Sequence, residues 1–138
     1  MELAHVVSKW SKDRTKVGAV IVDRRRVVSL GFNGFPAGVE DLPELYEGRD
    51  TKLLMVVHAE TNAIISAREP LSGCTIYTSF PPCAGCAGNI IQAGIKRVVC
   101  SPPPVDRYED WRVSLERAFT MFREAGVALV QDTRPVLL

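Results

Sequence analysis

The chain has 138 residues, 17 Lys and Arg against 16 Asp and Glu, and 46% apolar residues. That size and balance describe one soluble globular domain over residues 1–138, able to bury about two-thirds of its unfolded surface, so folding does not require a metal or disulfide staple. A net charge of +1 lacks the basic excess of a nucleic-acid binder and the imbalance of a disordered tail, so small-molecule substrates are expected and nucleic-acid partners are not. No apolar run approaches the ~20 residues of a membrane-spanning helix, and Met1-Glu2-Leu3-Ala4-His5 lacks the basic-then-apolar order of a leader. The expectation is a cytoplasmic protein without membrane contact. Its four cysteines, Cys74, Cys83, Cys86 and Cys100, are then reduced, and their spacing is read for metal binding or catalysis.

Leu3, Val6, Val7 and Trp10 suggest an amphipathic first helix. Val17-Gly18-Ala19-Val20-Ile21-Val22 is a β-branched run that stops at Asp23-Arg24-Arg25-Arg26, and Val27-Val28-Ser29-Leu30-Gly31-Phe32 resumes it. These are two strands of a hairpin with the arginines at its solvated tip; the first strand is apolar at successive positions, so helices should cover it on both faces. From Asn33 to Val57, glycines and prolines among charged residues predict a long loop, with a short helix around Leu42–Tyr46. Glu60–Ala67 reads as a helix ending before Pro70, Cys74–Thr78 as a strand, and Ala84–Ala93 as a helix ended by Gly94. Lys96–Cys100 is the next strand. After Pro102-Pro103-Pro104, the residues Trp111, Leu115, Ala118, Phe119 and Phe122 recur at helical spacing, Gly126 ends that helix, and Val127–Val130 is the last strand. This order predicts an α/β fold: a three-layer α/β/α sandwich on a mixed sheet of about five strands, with one antiparallel hairpin and parallel neighbours across the crossovers.

His58-Ala59-Glu60 opens one predicted helix, and Pro81-Pro82-Cys83-Ala84-Gly85-Cys86 opens the next, 25 residues later. One strand-and-crossover unit separates them, so both helices start at the same edge of the sheet. Cys83 and Cys86 share a helix face, and a helix N-terminus favours the thiolate that binds zinc. His58, Cys83 and Cys86 are three ligands, an incomplete tetrahedron that leaves one position for water. Glu60, two residues from His58, is aimed differently and is the candidate to move that water's proton. A redox cysteine pair would need no His-x-Glu partner. A closed structural site would need a fourth ligand from His5, Cys74 or Cys100; the two cysteines sit in apolar strand patterns, where an inert buried thiol is the default, and His5 reads as a surface or packed residue. His-x-Glu with Pro-Cys-x-x-Cys is the signature of zinc-dependent nucleobase deaminases.

At this level the sequence resembles the deoxycytidylate (dCMP) deaminase branch of the cytidine deaminase-like family, from Ser8 to Val127. The resemblance is carried by Ser11–Val22, Gly31–Pro36, Val57–Ile64, Pro81–Cys86 and Ile90–Ile95. It implies one Zn²⁺ per chain on His58, Cys83 and Cys86, with Glu60 as the catalytic proton carrier in the hydrolysis of dCMP to dUMP and ammonia. It also implies substrate contacts from Asn33 to the sugar, Arg14 to the phosphate with help from Lys12 or Lys16, and Ala59 and Ser79 to Pro81 to the base edge. Asn62 and Tyr108 are further substrate-side candidates. Tyr108 and Trp111, after the Pro102-Pro103-Pro104 break, are both candidates to wall the nucleotide pocket, but Trp111 starts the apolar stripe and reads first as core. Homo-oligomers and the effectors dCTP and dTTP are family properties that Gly31–Gly34 brings with it.

The sequence departs from the family in two places. No Cys or His occurs between Asn33 and Val57, where many members hold a second, structural zinc, and the tyrosine-histidine pair after the fourth strand is replaced by Asp106-Arg107-Tyr108-Glu109-Asp110-Trp111. The rival readings are a sibling deaminase (of dCTP, a 5-substituted dCMP, cytidine, guanine or a tRNA adenosine) and a non-catalytic zinc scaffold. Glu60 argues against the scaffold, which has no use for a proton carrier.

Overall fold

The computed structural model describes residues 1–135. Five strands, β1 (Gly18–Asp23), β2 (Arg26–Phe32), β3 (Thr75–Thr78), β4 (Arg97–Cys100) and β5 (Ala128–Gln131), form one sheet in the order β2-β1-β3-β4-β5. β1 is antiparallel to both β2 and β3, while β3, β4 and β5 run parallel. The expected mixed five-stranded sheet is therefore present, with its hairpin at one edge.

The helices are α1 (Glu2–Ser8), α2 (Arg49–Met55), α3 (Ala59–Ser66), α4 (Ala84–Gln92) and α5 (Tyr108–Glu124). Side chains alternate across β1. Ala19 and Ile21 join the main core with Ala63 of α3, Ala87 and Ile90 of α4, and Ala118 and Phe122 of α5. Val20 joins a second cluster with Ala4 and Val7 of α1. Because successive strand residues face opposite ways, the clusters lie on opposite faces of the sheet, which makes three layers. The successive apolar residues of β1 are explained by this cover on both faces.

Two glycines permit the closest approaches between layers. A Cβ on Gly31 of β2 would lie 2.4 Å from the Ala63 nitrogen and 2.5 Å from the Ala59 oxygen of α3, and one on Gly18 would lie 2.1 Å from the Ala4 oxygen of α1. Ser29 then donates to the Ala63 carbonyl at 2.7 Å, tying α3 to β2.

The Asn33–Val57 segment departs from expectation. A short 3-10 helix spans Pro43–Tyr46, close to the predicted turn at Leu42–Tyr46, but the rest is not all loop, because α2 follows it. α2 has no buried residue, so it carries no apolar stripe for periodicity to detect. Gly34 pairs with Val57 in an isolated antiparallel bridge, which closes the segment at its base. The first helix ends at Ser8, and Trp10 lies beyond it, 54% exposed. No described helix is long and apolar enough to cross a membrane.

Candidate active site

α3 follows the isolated Gly34–Val57 bridge and α4 follows β3, and each is preceded by an N-cap residue that carries a ligand-type side chain. His58 caps α3 and Cys83 caps α4, both with extended backbone. The starts of these helices are fixed from several sides. Ser114 of α5 accepts from the Ala84 N–H at 3.0 Å, supplying a partner to a first-turn amide that has none within its own helix. Asn89 of α4 donates to Thr61 of α3 at 3.0 Å. Pro81 and Pro82 are fully buried just before Cys83.

His58 Nδ1 lies 3.5 Å from Cys83 Sγ and 3.3 Å from Cys86 Sγ, and the three ligand atoms all fall within 4.8 Å of one another. Tetrahedral zinc with bonds of about 2.1 Å to nitrogen and 2.3 Å to sulfur puts such atoms roughly 3.6 Å apart, so the group fits one ion. It is the one such group among the described residues. The charges are prepared for it. Hydrogen bonding from Cys86 pulls the Cys83 thiol well below its ordinary pKa, with His58 adding to the effect, while the same bond and burial push Cys86 up.

Glu60, in the first turn of α3, is only 4% exposed. Burial pushes its carboxyl up to about 7, although the neighbouring His58 charge pulls the other way. Glu60, His58 and Cys83 line one cavity of about 610 Å³, open mouth included. Apolar walls come from Val17, Leu53, Val56, Ala59, Phe80, Pro81 and Trp111, and the polar ones from Asp13, Thr15, Asn33 and Lys52. A buried proton carrier beside a three-ligand group, at the end of an apolar slot, can hydrolyse a flat heterocycle.

Residues 1–102 match the family described as the cytidine and deoxycytidylate deaminase zinc-binding region. The chain belongs to this family. It is 44% identical over 127 residues to a deaminase from the luxG 3' region of Aliivibrio fischeri, covering 91% of this chain and 86% of that one. It is 39% identical over 135 residues to human deoxycytidylate deaminase, covering 92% and 74% of the two chains. The fold also matches the crystal structure of a dCMP deaminase from cyanophage S-TIM5 in complex with dCMP and dUMP, with a TM-score of 0.75, 25% identity, and coverage of 95% and 92%. The deaminase family binds zinc, and His58, Cys83 and Cys86 are the residues that fit it here.

The substrate-side residues expected for a deaminase divide in two. Asn33, Ala59 and Pro81 line the cavity. Arg14, Asn62, Ser79 and Tyr108 are not among its lining residues, and each has another placement. The Arg14 side chain is 78% exposed and 4.0 Å from Glu47. Asn62 donates to the Phe32 carbonyl at 2.8 Å. Ser79 extends the pairing of β1 with β3, its hydroxyl accepting from the Gly18 N–H at 2.9 Å. Tyr108 starts α5, 37% exposed. Of the helper cations, Lys12 pairs with Asp41 at 2.8 Å and Lys16 donates to the Ser11 carbonyl.

The core reading of Trp111 is corrected in favour of the pocket wall. The residue lies on the cavity wall rather than in the core, its ring 6.4 Å from that of His58 and 6.0 Å from that of Phe80, edge to face with both. The apolar stripe of α5 that is core at Leu115, Ala118 and Phe122 thus becomes pocket wall at its start. Asp13, Thr15, Lys52, Leu53 and Val56 were not singled out as lining residues by their local sequence, whereas Phe80 belongs to the Ser79–Pro81 segment expected at the base edge. Arg107, from the segment that replaces the family's tyrosine-histidine pair, reaches across to donate to Thr15 at the rim.

Proposed function

We propose that this chain is a zinc-dependent dCMP deaminase that hydrolyses dCMP to dUMP and ammonia, supplying dUMP for thymidylate synthesis. The observation that carries the reading is the buried Glu60 carboxyl facing the same cavity as the His58, Cys83 and Cys86 group. The relatives named deoxycytidylate deaminase support the choice of substrate.

When bound, zinc supplies the Lewis acidity that lets a water give up its proton near neutral pH. The chain's residues do the rest. Glu60 accepts that proton and delivers protons to ring nitrogen 3 of cytosine and to the departing amine, its buried carboxyl facing the cavity that holds the ligand group. Phe80, Pro81 and Trp111 enclose the ring and exclude bulk water. Asn33 stands on the polar side of the cavity, where the sugar would lie.

The same reading takes residues 1–138 as one deaminase domain working in the cytoplasm on a small nucleotide, with no nucleic-acid partner. Leu3, Val6, Trp10 and Phe32 are exposed together around α1 and the end of β2, and Trp10 packs edge to face on Phe32 at 6.0 Å, which supports a homo-oligomer. Regulation by dCTP and dTTP rests on the resemblance of Gly31–Gly34 alone.

The test is ammonia release and loss of cytosine absorbance with dCMP, CMP, dCTP and deoxycytidine, using zinc-loaded protein and Glu60→Gln. A dCMP preference that falls by about 10²–10⁴-fold in the variant, with zinc content unchanged, is expected. A preference for another nucleotide would overturn the substrate and keep the chemistry. Silence across this panel and with guanine and tRNA would favour the scaffold.

A further inference from the structure

The polar wall of the cavity contains a buried ion pair that proton transfer at Glu60 does not use. Lys52 Nζ of α2 lies 3.1 Å from Asp13 Oδ1, with side chains 19% and 3% exposed. Lys52 neutralises a charge that would otherwise stand alone in the wall. Asp13 Oδ1 also accepts from the Thr15 N–H at 2.9 Å, and its Oδ2 accepts from Asn33 Nδ2 at 3.3 Å.

Asn33 Nδ2 gives a second hydrogen bond to the Thr15 carbonyl at 2.8 Å, and Asn33 Oδ1 accepts from the Val17 N–H at 2.8 Å. A backbone N–H can only donate and a carbonyl can only accept, so these partners fix which end of the amide is which. A side-chain amide has two hydrogens and two oxygen lone pairs. Both hydrogens of Asn33 are used inside the protein, and one lone pair on Oδ1 is left, on a residue that lines the cavity. Asn33 therefore meets a ligand as an acceptor, and its partner must be a donor such as a hydroxyl.

The ion pair also holds α2. This helix buries no residue, and the Lys52–Asp13 contact is its one side-chain hydrogen bond or ion pair among the described residues. Yet it brings Leu53 into the cavity wall, with Val56 just past its end.

We propose that the Lys52–Asp13 pair is a positioning device: it fixes the carboxylate that takes the second amide hydrogen of Asn33, so that the amide oriented by Thr15 and Val17 keeps its free acceptor for the sugar hydroxyl of the nucleotide, and it docks α2 in the cavity wall. The inference rests on the dCMP reading, since dCMP carries a single free sugar hydroxyl, at carbon 3'. Lys52 touches no reacting atom in this role; it acts through Asp13 and Asn33.

The experiment compares dCMP with 2',3'-dideoxycytidine monophosphate on wild-type protein, Lys52→Met and Lys52→Arg. Wild type should prefer dCMP by roughly three- to tenfold in kcat/KM, the worth of one neutral hydrogen bond. Lys52→Met should raise KM for dCMP more than it lowers kcat and bring the preference towards one, while Lys52→Arg should restore most of it. Equal use of both nucleotides by wild type, which needs no variant to fold, overturns the proposal. So does a Lys52→Met protein that loses activity on both nucleotides alike. Hydrogen exchange separates this from the parent reading: backbone amides of residues 52–56 should exchange at least tenfold faster in Lys52→Met. Absence of dCMP turnover by zinc-loaded wild type would break the dCMP reading, whereas unchanged protection at 52–56 would overturn the positioning device whichever nucleotide is the substrate.

Discussion

The two walls of the cavity are held in opposite ways. The wall that carries His58, Glu60, Cys83 and Cys86 consists of the starts of α3 and α4, whose inner faces place Ala63, Ala87 and Ile90 in the core at 0% exposure. The facing wall includes α2, which buries nothing and is tied to the rim by Lys52 and Asp13. Reacting groups thus stand on elements that cannot shift without opening the core, while the other wall includes an element held by a single ion pair and no buried residue. Chemistry needs ligand and proton-carrier positions fixed within a fraction of an ångström, and entry and release need something that opens.

The largest expected effect comes from removing the metal. A chelator should abolish deamination while far-UV circular dichroism stays close to that of the loaded protein. Ile21, Ile76, Ile90 and Phe122 are buried in the main core without help from the ligands, and a chain of this length folds without a staple. Unfolding on chelation would break the comparison, because the rigid wall would then owe its rigidity to the ion.

A smaller effect separates two glycines three positions apart. Gly31→Ala forces a Cβ against the backbone of α3, 2.4 Å from the Ala63 nitrogen, and should cost about 2–3 kcal/mol by denaturant midpoint, with lower turnover as α3 shifts. Gly34→Ala belongs to the other wall's base, where the new Cβ finds only the Tyr46 hydroxyl at 3.9 Å. Its cost should stay within about 0.5 kcal/mol. Equal costs would mean that the β2–α3 contact is no tighter than the segment after it.

The same division separates what was legible in the sequence from what was not. The strands announce themselves as β-branched runs because they are covered, and His58, Glu60, Cys83 and Cys86 stand out because their chemistry fixes residue type and spacing. α2 is invisible to periodicity, since Arg49-Asp50-Thr51-Lys52-Leu53-Leu54-Met55 buries no face. Lys52 and Asp13 are 39 residues apart and share no local pattern. Trp111 misleads in the opposite direction: it heads a true core stripe, yet in the first turn of α5 it lies on the cavity wall, edge to face with His58. Arg14 follows family position, yet a loop charge 78% exposed is placed by solvent rather than by packing.

The smallest expected effect is at Leu54, which is 87% exposed against 49% for Leu53 beside it in α2. If α2 is held from its inner side alone, Leu54→Ala removes no packed surface, and Ala is the better helix former. Stability and kcat/KM should then match wild type within about 0.5 kcal/mol and twofold. A cost above about 1 kcal/mol would show that the outer face of α2 is covered in solution. Repeating the melt over a hundredfold range of protein concentration identifies the cover, because a second copy of the chain makes the loss concentration-dependent and an intramolecular contact does not. In the first case the weakly held wall would owe part of its stability to oligomerisation, and entry to the cavity would be coupled to subunit association.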